Sequence, residues 1–108
     1  EAMPVEMTVR MRAPDDLKPF KHNARTHPPK QIAQIVASMR RFGFTNPILL
    51  TEEGEIIAGH GRLLAAKVIG LHEVPTIVVR GLSAAERAAL RLADNRIALN
   101  ASWDKELL

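Results

Sequence analysis

The sequence predicts a mixed α+β domain with a small sheet and about four helices, and three observations support this class. The chain has 108 residues, which is enough for one domain with a modest core. Apolar residues make up 46% and charged residues 25%, as in globular rather than disordered proteins. Short stretches with the period of a β-strand alternate along the chain with stretches of helical period.

The first strand is predicted at residues 7–12, where apolar and polar side chains alternate, and residues 13–16 are typical of a turn. The first helix begins after the Pro28-Pro29 pair, because a proline at a helix start loses no intrahelical hydrogen bond. Gly43 ends this helix. Its apolar face has five members at helical spacing: Ile32, Ile35, Val36, Met39 and Phe42.

A hairpin is predicted next, from strands at residues 47–51 and 55–58 joined by a turn at residues 52–54. The second helix is predicted from Arg62 to Ile69, because the glycines before it interrupt the pattern and Gly70 follows it.

The fourth strand is predicted at residues 74–79, which are rich in β-branched side chains. Ser83 and Glu86 have the spacing of a capping box, in which each side chain binds the other residue's backbone N–H. They open a third helix that is rich in Ala and Leu and runs to about Ala93.

The domain boundaries follow from these elements. Residues 1–16 hold the first strand and turn, and residues 1–3 are interpreted as a vector remnant. Residues 17–100 form the core domain. Residues 101–108 begin a fourth helix capped by Ser102, so we expect the sequence to be one domain of a longer protein.

Several classes of protein are excluded by composition. The chain has no cysteine, which excludes disulfides, zinc fingers, iron–sulfur sites and thiol nucleophiles. No apolar run approaches the ~20 residues of a membrane-spanning helix, and the N-terminus lacks the layout of a signal peptide. We therefore expect a cytoplasmic protein with no membrane partner.

The positive charge is concentrated in one segment. Residues 17–51 contain no acid, although the whole chain has a net charge of only +3. The six cations of this segment are Lys18, Lys21, Arg25, Lys30, Arg40 and Arg41. Such a segment suits an anionic partner, a nucleotide or a nucleic-acid backbone, although it also fits a merely solvated basic face. The candidate DNA contacts are Lys18, Lys21, Lys30, Arg40 and Arg41.

The turn Gly59-His60-Gly61-Arg62 lies between a strand and a helix. A helix start offers backbone N–H groups and a partial positive charge, both of which attract phosphate. Glycines let a ligand approach the backbone closely, and the Arg62 fork can bind phosphate oxygens. His60 is a candidate phosphate donor or general base. The alternative is a simple connection between strand and helix.

Residues 56–67 resemble the signature of the ParB-like N-terminal domain, in the superfamily that also includes the sulfiredoxins. This turn reads G-E-R-R in partition members and G-C-H-R in sulfiredoxins, so Gly59 and Arg62 match while His60 and Gly61 differ. Three further segments resemble the family in order and spacing, at residues 17–25, 31–50 and 92–100. The resemblance implies the ParB/sulfiredoxin-like fold.

The resemblance also implies a nucleotide-binding domain of a DNA-associated protein that acts in DNA modification or in plasmid or chromosome partitioning. Partition members bind and hydrolyse CTP with magnesium and sulfiredoxins bind ATP, so the implied cofactor is Mg²⁺ with CTP or ATP. The residues implied to face the nucleotide are Arg25, Gly59, His60, Gly61, Arg62, Asn95 and Arg96. Sulfinic-acid reduction is excluded because position 60 is not cysteine. Hydrolysis is left open because the Glu and the first Arg of the partition motif are missing.

The variant resembles most the ParB-like domains fused to DNA methyltransferases in bacteria and phages, which implies a C-terminal partner domain of that kind. By the same resemblance, a homodimer that closes around nucleotide is expected. Two alternatives stay open. One is a metal-dependent nuclease, with His60 as the base and Asp94 and Glu55 as weak candidates for metal ligands. The other is a non-catalytic module for DNA binding or dimerisation.

Overall fold

The computed structural model describes residues 8–19 and 28–93. In chain order its elements are β1 (Val9–Arg12), a 3-10 turn (Pro14–Asp16), α1 (Pro29–Phe42), β2 (Ile48–Leu50), β3 (Ile56–Ala58), α2 (His60–Ile69), β4 (Val74–Val78) and a helix α3 at residues 84–93. The four strands and three helices confirm the predicted α+β class. The expected fourth helix at residues 101–108 and the interpreted remnant at residues 1–3 lie outside the described residues.

The strands form one mixed sheet in the order β1-β4-β2-β3. β1 pairs with β4 and β2 pairs with β3 in antiparallel fashion, which confirms the predicted hairpin, whereas β2 and β4 are parallel. Pro75 lies in the central strand β4, where its missing N–H would leave a gap in a ladder. The pairing of β4 with β2 begins one residue later, at Thr76, so Pro75 has a strand neighbour only on the β1 side.

The core lies between the sheet and α2. Its buried apolar side chains are Leu17, Ile48, Leu50, Ile56, Leu63, Ala66 and Val74. They come from the residue after the 3-10 turn, the strands β2, β3 and β4, and the inner face of α2. This packing fixes the direction in which α2 leaves the end of β3.

Helix α1 packs against α2 through a half-buried apolar face. The helical period places Phe42 on this face, but the structure leaves its side chain 65% exposed, with the Arg41 guanidinium 5.1 Å from the ring centre. Gly43 ends the helix as predicted. Its φ of 82° with a ψ of −172° is open almost solely to glycine.

Helix α2 begins at His60, two residues earlier than predicted. Gly59 is the N-cap residue, and its φ of 104° makes the sharp turn out of β3. Gly61 therefore does not break the helix but is a buried residue of its first turn. At the other end Gly70 has a φ of 85° and donates its N–H to the Ala66 carbonyl at 2.9 Å, which confirms it as the predicted terminator.

Helix α3 begins with the predicted capping box. The Glu86 N–H donates to Ser83 Oγ at 3.1 Å, and the Ser83 N–H donates to Glu86 Oε1 at 2.9 Å. Within residues 8–19 and 28–93, no helix combines the length and apolar character needed for a bilayer span.

Candidate functional site

The turn between β3 and α2 presents the start of a helix at the edge of the core. Gly59 caps α2 without any hydrogen bond from a side chain, and the first turn of α2 contains no acidic residue. The first N–H groups of any α-helix have no acceptor within the helix, and they carry its partial positive charge. This arrangement is suited chemically to bind an anion such as phosphate.

Arg62 lies in the first turn of α2, and its side chain is directed back toward the chain segment that enters β2. Its Nη2 donates a hydrogen bond to the Pro47 carbonyl at 3.1 Å. The guanidinium crosses the space above Gly59, where a Cβ would lie 3.0 Å from Arg62 Nη2 and 3.1 Å from Ile48 Cγ1. Gly59 is thus required both by its backbone angle and by these neighbours.

Four of the seven residues implied to face a nucleotide come together here. Gly59 and Gly61 are buried, and His60 and Arg62 are half-buried in the same helical turn. The other three, Arg25, Asn95 and Arg96, lie outside the described residues. The structure therefore describes one side of the expected site.

The candidate metal ligands do not form a metal site within the described part of the chain. Glu55 precedes β3, and its Oε1 accepts a hydrogen bond from Arg91 Nη2 at 3.1 Å. The other candidate, Asp94, lies outside the described residues. Among residues 8–19 and 28–93, no three His, Cys, Asp or Glu side chains are grouped to hold a metal ion.

A set of charge pairs that was not predicted from the sequence joins the hairpin turn to the segment from Arg80 to Arg91. Three acids near this turn each face a different arginine, in the pairs Glu52–Arg80 (3.8 Å), Glu53–Arg87 (3.5 Å) and Glu55–Arg91 (3.1 Å). The four-residue spacing of Arg87 and Arg91 on α3 is the signal that indicates one charged helix face.

One of these acids has a shifted pKa. Hydrogen bonds from its own backbone N–H and from Thr51 hold the pKa of Glu53 below its ordinary value, and Arg87 and Lys18 contribute to the same effect. The carboxylate is therefore favoured in its charged form, as an ion pair with Arg87 requires.

The candidate DNA contacts are spread over the surface. Lys18 is bonded through its backbone to Gly54 and Ile56 beside β3, and its side chain is exposed. Lys30 lies in the first turn of α1 and Arg40 and Arg41 in its last, about 15 Å apart at 1.5 Å per residue. Cations in a last turn also suit the helix dipole. Lys21 lies outside the described residues.

Comparison with known sequences identifies relatives. The model of the ParB N-terminal domain family matches residues 2–96. The ParB-like nuclease domain-containing protein YnaK of Escherichia coli K12 is 48% identical over 81 residues, which cover 75% of this chain and 93% of the relative.

Two solved structures share the fold. A C-terminally truncated chromosome-partitioning protein ParB from Caulobacter crescentus, complexed with CTP-gamma-S, superposes with a TM-score of 0.72 at 26% identity. The similarity covers 82% of this chain and 52% of that one, so the present chain corresponds to about half of the truncated partitioning protein. Sulfiredoxin from Arabidopsis thaliana superposes with a TM-score of 0.61 at 16% identity, over 68% of this chain and 86% of that one. These similarities confirm the predicted ParB/sulfiredoxin-like fold.

Proposed function

Because the chain belongs to the ParB N-terminal domain family, we propose that it is the nucleotide-binding domain of a DNA-associated protein. In this proposal the turn from Gly59 to Arg62 binds the phosphates of a nucleoside triphosphate held with Mg²⁺. CTP is the first candidate, since the Caulobacter structure contains CTP-gamma-S, and ATP is the second. Arg25, Asn95 and Arg96 complete the proposed site.

The observation that carries this proposal is the start of α2. Gly59 places the first backbone N–H groups of the helix at the end of β3, and in this described turn there is neither an acidic residue nor a capping hydrogen bond from a side chain. A triphosphate carries several negative charges, which the partial positive charge of the helix start and the nearby cationic Arg62 favour. The same two features would disfavour a positively charged ligand.

Thermal denaturation with CTP, ATP, GTP and UTP, each with and without Mg²⁺, tests the proposal. A ligand at about 100 times its Kd stabilises the native state by ~2.7 kcal/mol. For a domain of this size, that corresponds to a rise in Tm of roughly 10 °C or more. If none of the four nucleotides raises the Tm of the wild-type protein, the proposed function is wrong.

Two variants with the same charge change test whether the nucleotide binds at the start of α2. His60→Asp puts a carboxylate in the first turn of α2, where the helix dipole favours it but where it repels phosphate. We expect this variant to stay folded and to lose the nucleotide-induced shift. His72→Asp makes the same charge change at an exposed residue beyond the other end of α2 and should keep the shift. Equal shifts in both variants would place the nucleotide elsewhere.

Association with DNA is the second part of the proposal. The exposed cations Arg40 and Arg41 end α1 side by side and are placed to contact phosphates. The Arg40→Ala/Arg41→Ala double variant should weaken binding about equally for all sequences and reduce the salt slope by about one per lost phosphate contact. Arg80→Ala, which removes an exposed cation outside this pair, is the control. Binding that does not depend on salt would contradict this part.

Nucleotide hydrolysis, DNA cleavage and homodimer formation are tested separately. Release of phosphate from CTP tests hydrolysis, and nicking of supercoiled plasmid with a divalent metal tests the nuclease alternative suggested by the name of the E. coli relative. Loss of either activity in His60→Ala would assign the catalytic role to His60. Sedimentation with and without CTP tests the expected homodimer. A fused DNA methyltransferase and a cytoplasmic setting in bacteria or phage-infected cells complete the proposal.

A further inference from the structure

We propose that Arg62 is a positioning residue whose guanidinium, bound to the Pro47 carbonyl, fixes the Gly59 turn so that the first-turn N–H groups of α2 contact the phosphates. This inference rests on the proposed function and changes the part that Arg62 has in it. The sequence implies a direct phosphate ligand, whereas the described geometry directs Nη2 to the backbone of the protein itself.

The contact between Arg62 and Pro47 joins two segments that meet at the same end of the hairpin. Pro47 immediately precedes β2, and Gly59 immediately follows β3. Leu49 pairs with Ala58, so the start of β2 lies beside the end of β3. The 3.1 Å hydrogen bond therefore links the first turn of α2 to the residue that immediately precedes β2, the strand paired with β3.

Gly59 is the residue on which this contact acts. The guanidinium occupies the space that a Cβ would take, with Nη2 at 3.0 Å and Cζ at 3.3 Å from that position. Ile48 Cγ1 limits the same space at 3.1 Å. The backbone of the turn thus lies against a planar group and a branched side chain, and removing the guanidinium leaves the turn room to move.

The charge of Arg62 has an unfavourable place in the helix. A cation in the first turn opposes the helix dipole, and the Pro47 carbonyl offsets this by accepting a hydrogen bond from the charged group. In this proposal Arg62 keeps its hydrogen bond to the Pro47 carbonyl when nucleotide is bound. The turn therefore already has its binding conformation before the nucleotide arrives. Such preorganisation raises affinity because less ordering remains to be done on binding.

The first experiment measures stability without nucleotide, in a cycle of wild type, Gly59→Ala, Arg62→Ala and the double variant. The added Cβ meets the guanidinium only when Arg62 is present. We therefore expect Gly59→Ala to lower the Tm less in the Arg62→Ala background than in the wild-type background. Equal decreases in both backgrounds would overturn the coupling of Gly59 to Arg62.

The second experiment measures CTP binding by titration calorimetry at a temperature where each variant is folded. Loss of the positioning hydrogen bond should weaken CTP binding about tenfold in Arg62→Ala, with partial rescue in Arg62→Lys, which keeps a donor for the carbonyl. Arg80→Ala, an exposed arginine in the loop after β4, is the matched control and should bind as the wild type does. Unchanged affinity in Arg62→Ala would reduce Arg62 to a purely structural role and overturn the proposal.

The third experiment separates a positioning residue from a phosphate ligand and needs no folded alanine variant. The guanidinium signals of ¹⁵N-arginine protein are recorded with and without CTP, and Arg62 is assigned through Arg62→Lys. We expect the Arg62 Nη signals to keep their positions when CTP is added, because their acceptor stays the Pro47 carbonyl. A large shift would make Arg62 a direct ligand and overturn the proposal. If the wild-type protein does not bind CTP, the proposed binding of CTP is refuted instead. The stability cycle of Gly59→Ala and Arg62→Ala still tests, without nucleotide, whether Arg62 acts on the Gly59 turn.

Discussion

Arg91 of α3 binds Glu55, the residue immediately before β3, with 3.1 Å between Arg91 Nη2 and Glu55 Oε1. The two partners differ in burial, since the Arg91 side chain is 8% exposed and that of Glu55 37% exposed. The same Nη2 lies 3.5 Å from the carbonyl oxygen of Ile56. The pair joins the last described helix to the strand that leads into the Gly59 turn.

Because the two side chains of this pair differ in burial, we expect removal of one or the other to lower the free energy of unfolding by different amounts. Glu55→Gln leaves a buried guanidinium without its counter-charge, and we expect a loss of about 2–3 kcal/mol in the free energy of unfolding. Arg91→Met leaves a carboxylate that water reaches and keeps the apolar stem, so about 1 kcal/mol is expected. Urea denaturation of both variants measures the difference.

The outer pair of the same set is the control for this prediction. Glu52 and Arg80 are both well exposed and lie 3.8 Å apart, so Glu52→Gln should change the free energy of unfolding by less than about 0.5 kcal/mol. If Glu52→Gln costs as much as Glu55→Gln, the burial of Arg91 does not determine the effect.

The capping box of α3 predicts a measurable loss on removal of one hydroxyl group. Ser83→Ala deletes the acceptor of the Glu86 N–H, and N-cap serines of this kind contribute about 1 kcal/mol. Ser38→Ala is the matched control, because Ser38 is exposed within α1, where alanine is the better helix former. Equal losses in the two variants on urea denaturation would contradict a capping role.

The lowered pKa values of two carboxylates lead us to expect that acid destabilises the fold. Hydrogen bonds from the backbone and hydroxyl of Ser83 lower the pKa of Glu86 from its ordinary 4.5, and the pKa of Glu53 is lowered as well. Carboxylates with lowered folded-state pKa values stabilise the fold above their unfolded pKa, and this contribution is lost as the pH falls through the folded value. Stability should therefore fall below about pH 4.5.

The variant Glu86→Gln isolates one of these groups. Glutamine can keep the capping hydrogen bond without a charge, so stability at neutral pH should change little while the acid-induced loss becomes smaller. Denaturation midpoints from neutral pH to about pH 3 record this. If stability depends on pH in Glu86→Gln as it does in the wild type, Glu86 does not contribute to the acid-induced loss of stability.

The two glycines that bound α2 predict different costs for the same substitution. Both have positive φ, 104° at Gly59 and 85° at Gly70, so alanine strains the backbone at either position by about 1–2 kcal/mol. At Gly70 a Cβ meets nothing within 4 Å, whereas at Gly59 it meets Arg62 and Ile48. Gly59→Ala should therefore lower the free energy of unfolding by at least about 1 kcal/mol more than Gly70→Ala. Similar losses in the two variants would contradict the close approach at Gly59.

Much of this fold could be predicted because its signals are local. The proline before α1, the glycines after α1 and α2, and the Ser83–Glu86 pair each depend on residues within one helical turn. The periods of the strands and helices are local as well. The position of the candidate turn followed from the same kind of signal, since Gly59 lies between a β-branched strand and an Ala-rich helix.

The remainder depended on contacts between distant residues. The start of α2 was placed too late because Gly61 is a poor helix former in isolation, but here it packs as a buried residue of the helix. The direction of Arg62 is set by Pro47, 15 residues earlier, and that of Arg91 by Glu55, 36 residues earlier. Helical period likewise placed Phe42 toward the core, although the packing of α1 leaves it exposed. Spacing along the chain contains no information on such partners.

The order of strands in the described sheet determines when this sheet can be completed during synthesis. β1 precedes the other three described strands in sequence, yet among the described residues it pairs with the last of them, β4, and Thr76 donates its hydroxyl to the Arg10 carbonyl across 66 positions of sequence. The β2–β3 hairpin and α2 can form while the ribosome is still adding later residues, because their contacts are short in sequence. Within the described sheet β1 pairs with β4, so β1 is synthesised before the other described strands but can join them only after β4 has left the ribosome.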